Sequence, residues 1–293
     1  MVRRHELTDE QWQVVVALLP VSGARGRPRV DDRRVVNGML YKAKTGIAWR
    51  DLPERYGPWK TVYNRFWRWS RNGTLTLLVG RVRVIAEAVA ELDREVSVDS
   101  SIVRAHQHAA GARRAGWSTP AGTGFYEADG EPADHAIGRS RGGPTTKIHL
   151  ACDGLGRPLS IVLTGGNVND CTVFTRVLAG IRMPRPGRGR PWTRPRRARV
   201  DKGYSSKAIR GYLRRRGIAA TIPERCDQQA HRHRRGRTGG RPPTFDPTAY
   251  RRRNVVERCF NRLKQYRAIA TRYDKTAQSY RGMLDLATLL MWL

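Results

Sequence analysis

Acidic residues are the first shortage in this chain of 293: 25 Asp and Glu stand against 56 Lys and Arg, a formal net charge of +31. That excess goes far beyond what solubility needs and directs the surface toward polyanions, with nucleic acid as the default partner. Cysteine is scarce as well. Cys152, Cys171, Cys226 and Cys259 lie far apart, without the paired spacing of a zinc site, so ordinary thiols of a reduced cytoplasmic protein are expected. No apolar run marks secretion or approaches membrane-spanning length, which excludes a membrane partner. A glycine-rich phosphate loop followed by lysine is missing, and with it an ATP-driven mechanism. Ser100 and Ser101 have no identifiable base beside them in sequence, so no nucleophile triad is read.

What the chain has in quantity is tryptophan near its start and apolar periodicity throughout. Five of the eight tryptophans precede residue 70, which separates a folded globule from a basic tail of ribosomal or chromatin type. Thr8-Asp-Glu-Gln11 is a capping box that opens a first helix through Trp12, Val15, Val16 and Leu19, ended by Pro20. The connector Arg25-Gly-Arg27-Pro-Arg29, echoed by Arg188-Gly-Arg190-Pro191, suits either a solvated linker or an arm for an A·T-rich minor groove. Asp31 or Asp32 caps a second helix whose Val35, Val36, Met39, Leu40 and Ala43 face one way until Gly46. A third, from about Trp59 to Arg71, is expected to bury Trp59, Val62, Tyr63 and Phe66 while Lys60, Asn64, Arg68 and Arg71 line the other side. That layout suits a recognition helix, with phosphate contacts from Lys60 and base contacts from Asn64 and Arg68; a basic face that only keeps a small bundle soluble is the competing reading. A fourth helix, through Leu75, Leu78, Val82 and Val89, leads to a change of chemistry near residue 93. The expected division is a small all-α, helix-turn-helix-like DNA-binding domain over 1–92 and an α/β domain over 93–293.

In the second part, strands are expected around Val96–Val103, Lys147–Cys152 and Pro158–Leu163, the last two joined by an Asp153-Gly154 hairpin turn. Residues 106–143 form a loop long enough to be functional. Asp170 is read as a helix cap. A basic, proline-rich connector over 183–196 leads to a strand ending at Asp201, a helix over 205–216, a strand over 219–222 and a basic Gly/Arg/His-rich insertion over 224–249. His106-Gln-His108 and His231-Arg-His233 have spacing that could bind a soft metal, yet both fall in polar stretches.

Near the C-terminus, Asp246 and Pro247 open a helix expected to run through Tyr250, Arg253, Glu257 and Lys264. At 100° per residue those four side chains fall within about 60° of one another, beside an apolar face of Val256, Cys259, Phe260 and Leu263. Glu257 is the only acid between Asp246 and Asp274. A lone carboxylate on a basic helix suggests a metal ligand flanked by groups that hold an anionic backbone; the alternative is an intrahelical pair of Glu257 with Arg253.

The spacing Tyr-(2)-Arg-(3)-Glu-(6)-Lys over Tyr250, Arg253, Glu257 and Lys264 resembles the signature of bacterial insertion-sequence transposases of the DDE class, and Asp201-Lys-Gly-Tyr204 resembles the segment around their second aspartate. Gly46–Pro53, Gly57–Tyr63 and Gly138–Lys147 resemble the insertion-sequence-five family specifically. The resemblance implies a ribonuclease-H-like mixed sheet in which the first and fourth strands are neighbours, with Asp99 and Asp201 at their ends and Glu257 swung over them. It implies Asp99, Asp201 and Glu257 as catalytic carboxylates holding two Mg²⁺ ions, with Mn²⁺ as a substitute. It further implies that Tyr250, Arg253 and Lys264 position DNA, that transposon ends and target DNA are the partners, and that the chain works near the nucleoid as a homodimer or larger complex. Three like charges without metal imply weak ordering of Glu257. Two other readings stay open: a catalytically dead remnant serving as a sequence-specific DNA-binding regulator, and a structure-specific nuclease that cuts without joining.

Overall fold

The first helix begins where the capping box dictates: Thr8 Oγ1 accepts from the Gln11 N–H and Gln11 Oε1 accepts from the Thr8 N–H, each at 3.2 Å. The computed structural model describes residues 4–20, 30–89, 93–112, 130–185 and 187–293. The Arg25–Arg29 connector and residues 113–129 of the long loop lie outside the described residues. In chain order the elements are α1 (Asp9–Leu18), α2 (Asp32–Thr45), α3 (Trp59–Arg71), α4 (Thr74–Val89), β1 (Glu95–Ala105), α5 (Gln107–Ala110), β2 (Gly138–Ser140), β3 (Gly143–Cys152), β4 (Pro158–Gly165), α6 (Asp170–Ala179), β5 (Arg197–Arg199), α7 (Lys207–Arg215), β6 (Ala219–Thr221), α8 (Cys226–Arg234), α9 (Pro247–Arg251), α10 (Asn254–Lys264), α11 (Arg267–Ala270), β7 (Thr271–Arg272) and α12 (Ala277–Trp292).

The helices before residue 90 form one layer. Asp31 caps α2 by accepting from the Arg33 and Arg34 N–H groups, and Gly46 closes it in the left-handed conformation that favours glycine. Val35, Val36, Met39, Leu40 and Ala43 are buried as their spacing predicts. The connection from α2 to α3 holds two 3₁₀ turns, 49–51 and 54–56, rather than one tight turn. On α3 the expected face needs correction: Val62, Arg65, Phe66 and Trp69 are buried, while Trp59 and Tyr63 are only partly so. An ion pair between Arg65 and Asp32 lets the guanidinium go inside, which a purely apolar reading of the stripe misses. Lys60, Asn64 and Arg68 stay exposed. The last helix, α12, completes this layer: it packs on α2, α3 and α4, and Thr76 Oγ1 on α4 donates to Asp285 Oδ2 at 2.7 Å.

The sheet runs β4-β3-β1-β5-β6, with β2 also against β3 and β7 against β1. β4, β3 and β1 are antiparallel neighbours, whereas β1, β5 and β6 are parallel. A first, second and third strand in antiparallel sequence, with the fourth beside the first and the fifth outside it, is the ribonuclease-H-like arrangement, so the expected pairing of first and fourth strands is found. The Asp153 turn is found too, its buried carboxylate accepting from the Leu155 and Arg157 N–H groups. Asp170 is not the cap of α6: Asn169 Oδ1 accepts from the Cys171 N–H, and Asp170, one residue on, is free to pair with Lys147 at 3.0 Å. The basic insertion contains a helix, α8, whose Gln228 bonds to Ser205 on both sides of its amide.

Candidate active site

β1 crosses the middle of the sheet and carries Asp99. Val96 and Val98 are fully buried, but Asp99, Ser100 and Ser101 are all partly open, because the parallel ladder with β5 ends at the pair Ser97–Arg199. Asp201 lies two residues past that pair on β5, just as Asp99 does on β1. The two carboxylates therefore leave adjacent strands at one level, where neighbouring chains are about 4.8 Å apart. Asp201 Oδ1 accepts from the Gly203 N–H at 2.9 Å, which caps the short turn over 202–204 and directs the side chain along the strand end.

Asp99 Oδ1 accepts from the Ser100 N–H, and its Oδ2 accepts from Arg253 Nη1, both at 2.8 Å. Burial pushes the Asp99 carboxyl above the usual carboxylate range and the charge of Asp201 adds to that, while the Ser100 N–H and the Arg253 guanidinium oppose it. Arg253 Nη2 donates to Glu257 Oε1 at 2.5 Å. One guanidinium thus spans two of the three acids. Glu257 is about half exposed and pairs with this guanidinium, which offsets its repulsion from the other acids.

The single helix expected over 247–264 is two. Asp246 Oδ1 caps α9 through the Ala249 N–H, and the chain then tightens: Arg253 N–H donates to Tyr250 C=O, Val255 to Arg252 and Val256 to Arg253, all with 3₁₀ spacing. This break lies in a run of three arginines and removes Tyr250 from the helical face of Glu257. Tyr250 keeps its neighbourhood by another route, its ring 5.9 Å from the Arg253 guanidinium and 5.4 Å from Phe245. α10 presents Val255, Val256, Cys259, Phe260 and Leu263 to the core, with Cys259 against Cys152 of β3. Two contacts tie this helix to β1 on its polar side: Arg253, just before its first residue, reaches Asp99, and Lys264 Nζ donates to Ser101 Oγ at 2.6 Å.

A second polar group underlies the acids and was not singled out in the sequence as a site. Tyr204 is buried among Asp170, Asp99 and Asp201, and burial first, then those charges, raise its phenol strongly. His149 is also buried, and its Nε2 lies 2.8 Å from Thr164 Oγ1; burial drives its pKa from 6.5 down to about 4 despite the nearby Asp170. Tyr204 stands in the quoted Asp201-Lys-Gly-Tyr204 segment, but only the sheet brings β3 and α6 beneath it. The His106–His108 pair caps and packs on itself, and His231 and His233 lie on α8; among the described residues no three His, Cys, Asp or Glu side chains come together as a ready metal site. Asp99 and Glu257 nevertheless already share one positive charge, and the donor set is all carboxylate oxygen. That chemistry fits a hard divalent cation and not a soft one.

Comparison with known proteins gives two family matches: residues 7–79 match the putative transposase of IS4/5 family, and residues 91–292 match the transposase DDE domain. The putative transposase for insertion sequence element IS6501 of Brucella ovis is 30% identical over 51% of this chain and 98% of its own length. The putative transposase for insertion sequence element IS402 of Burkholderia cepacia is 33% identical over 55% of this chain and 69% of its own. Among solved structures, the Mos1 strand transfer complex aligns over 93% of this chain and 79% of that one at 14% identity, with a TM-score of 0.25.

Proposed function

We propose a function from this premise: the chain belongs to the DDE-domain transposases of bacterial insertion sequences. It binds the terminal inverted repeats of its own element, hydrolyses a phosphodiester at each end and joins the freed 3′-hydroxyl to target DNA. The observation that carries this reading is the Arg253 guanidinium shared by Asp99 and Glu257, beside Asp201 at the end of the neighbouring strand.

A phosphodiester is protected by its negative charge and by a poor alkoxide leaving group; two Mg²⁺ ions, or Mn²⁺ in their place, supply activation of the attacking oxygen and neutralisation of the departing one. Asp99, Asp201 and Glu257 would hold the metal, and Arg253, beside two of them, would offer its planar fork to a backbone phosphate, which it can grip bidentately. Lys264, seated on Ser101, fixes a second phosphate, and Tyr250 walls the approach next to Arg253. Residues 1–92 recognise the end sequence: Lys60 contacts phosphate, while Asn64 and Arg68 reach base edges. Residues 93–293 carry the chemistry, and two ends are held by a homodimer or larger complex.

The test is to incubate the chain and Mg²⁺ with labelled DNA bearing the element's ends. Nicked and joined products are both expected. Nicks without joined products favour a structure-specific nuclease, and tight end binding with neither product favours a DNA-binding regulator.

A further inference from the structure

At the opposite end of the parallel strands from the carboxylates lies a cavity of about 430 Å³. Arg94 immediately precedes β1, Arg196 immediately precedes β5, and Arg185 and Arg194 come from the proline-rich connector between α6 and β5. All four are exposed, and none makes an ion pair or a side-chain hydrogen bond among the described residues. Among the described residues no acid lines the cavity. On the adjoining strand, by contrast, Arg197 and Arg199 both pair with Glu95. Here four like charges surround one hollow and raise its potential without relief.

The wall that holds them is built. Met183 and Trp192 exchange backbone hydrogen bonds of 2.9 and 2.8 Å, closing the connector into a loop with the Trp192 indole buried beneath it. Pro191 and Pro195 fix the backbone on either side of Trp192 and Arg194. Arg216 donates to the Thr193 C=O at 3.0 Å, and the Arg196 N–H donates to the Arg94 C=O at 2.7 Å, tying the connector to α7 and to the start of β1. The guanidiniums therefore project from a hydrogen-bonded frame and not from a free tail, so less freedom is lost when an anion docks.

We propose that this cavity is a second DNA-binding site, which takes backbone phosphates of duplex DNA away from the reacting end. The inference rests on reading the chain as an enzyme that acts on DNA. Asp99 lies five positions after Arg94, about 16 Å at the rise of a strand. That is about five steps along one strand of a duplex, each step bringing one phosphate. A polyanion with regularly spaced charges matches the site; an apolar ligand does not, because ordinary small-molecule pockets are lined mainly by apolar groups. Contacts of this kind carry no sequence information and act on affinity and register alone.

The experiment needs no metal. Binding of a random-sequence 30-base-pair duplex is followed by fluorescence anisotropy across a salt series, with EDTA present, for the parent chain, an Arg185→Ala/Arg194→Ala chain and an Arg185→Lys/Arg194→Lys chain. The alanine chain is expected to bind at least about tenfold more weakly, with its salt slope shallower by about two units, since each lost phosphate contact removes close to one. The lysine chain should keep most of the slope. In parallel, phenylglyoxal modification of the parent chain, read by mass spectrometry, should be slowed at Arg185 and Arg194 by the duplex; this readout stands even if the alanine chain does not fold. An unchanged slope and affinity in a folded alanine chain, or equal modification with and without DNA, overturns the inference. A chain that cuts and joins ends yet leaves these arginines open to the reagent overturns the second site alone, whereas a chain that binds no DNA at all overturns the transposase reading with it.

Discussion

The two ends of the parallel strands treat positive charge in opposite ways. Past the last β1–β5 pair, Arg253 is occupied by Asp99 and Glu257, and Lys264 rests on Ser101. Before the first pair, Arg94, Arg185, Arg194 and Arg196 make no ion pair or side-chain hydrogen bond among the described residues. A formal charge of +31 says that a polyanion belongs here but not where it goes. The pairing pattern distinguishes two places for it: at the first end the cations sit on carboxylates and a hydroxyl, and at the second they have no side-chain partner among the described residues. The first arrangement suits the proposed chemistry, and the second suits the proposed grip.

The comparison breaks most sharply at the carboxylates. We predict that Asp99→Asn, Asp201→Asn and Glu257→Gln each lower Mg²⁺-dependent cleavage of end DNA at least about 10²-fold, as expected for losing one charged group that stabilises the transition state. End binding should be nearly unaffected in all three. Near-normal cleavage by any one of them, in a gel assay with matched protein concentrations, removes that residue from the site.

A second prediction sharpens the contrast through pH. Because the His149 pKa is depressed to about 4 from 6.5, the unfolded chain takes up this proton before the folded one. The contribution is whole above pH 6.5 and is lost as pH falls through about 4, amounting to about 3 kcal/mol at 1.36 kcal/mol per unit. His149→Asn should lose correspondingly less stability than the parent between pH 7.5 and 4, as measured by urea denaturation. Parallel losses in both chains would mean that the imidazole is protonated in the fold.

Arg253→Ala removes the one cation that spans Asp99 and Glu257, and it is expected to slow strand joining about tenfold, the scale of one charge-assisted hydrogen bond. Mn²⁺ affinity of the DNA-free chain, measured by electron paramagnetic resonance, should not fall. Unchanged joining would reduce Arg253 to an ion-pair partner. The smallest effect belongs to α3: Lys60→Ala should lower the salt slope of all DNA binding by about one unit, whereas Asn64→Ala or Arg68→Ala should relax preference for the end sequence. Equal losses on specific and random DNA for the three would leave only a general phosphate-binding face.

Local chemistry was legible in the sequence wherever it decides local structure. The Thr8 capping box, the α2 stripe closed by Gly46 and the Asp153 turn are all found where the residues placed them. Periodicity failed at two places where a distant charge intervened. The expected buried face of α3 leaves out Arg65, which Asp32 of the preceding helix receives, and the helix expected through Tyr250 and Glu257 is broken next to Arg253, which pairs with Asp99, 154 residues earlier. The pair of Arg253 with Glu257 was one of the readings open in the sequence and is found, while the second partner of that guanidinium, Asp99, was not legible. His149, Tyr204 and the four-arginine cavity were hidden more completely. They depend on which strands become neighbours, and a strand of three residues such as β5 carries little pattern of its own.

The packing of α12 on α4 also sets a timetable. Thr76 and Asp285 meet across 209 residues of sequence, and Leu75, Leu78, Val79 and Val82 are buried in the same layer. At a synthesis rate of about 5–20 residues per second, those side chains leave the ribosome about 10–40 s before α12 exists to cover them. During that interval the helices that come first hold an uncovered apolar face, and the layer can close only when the last helix arrives.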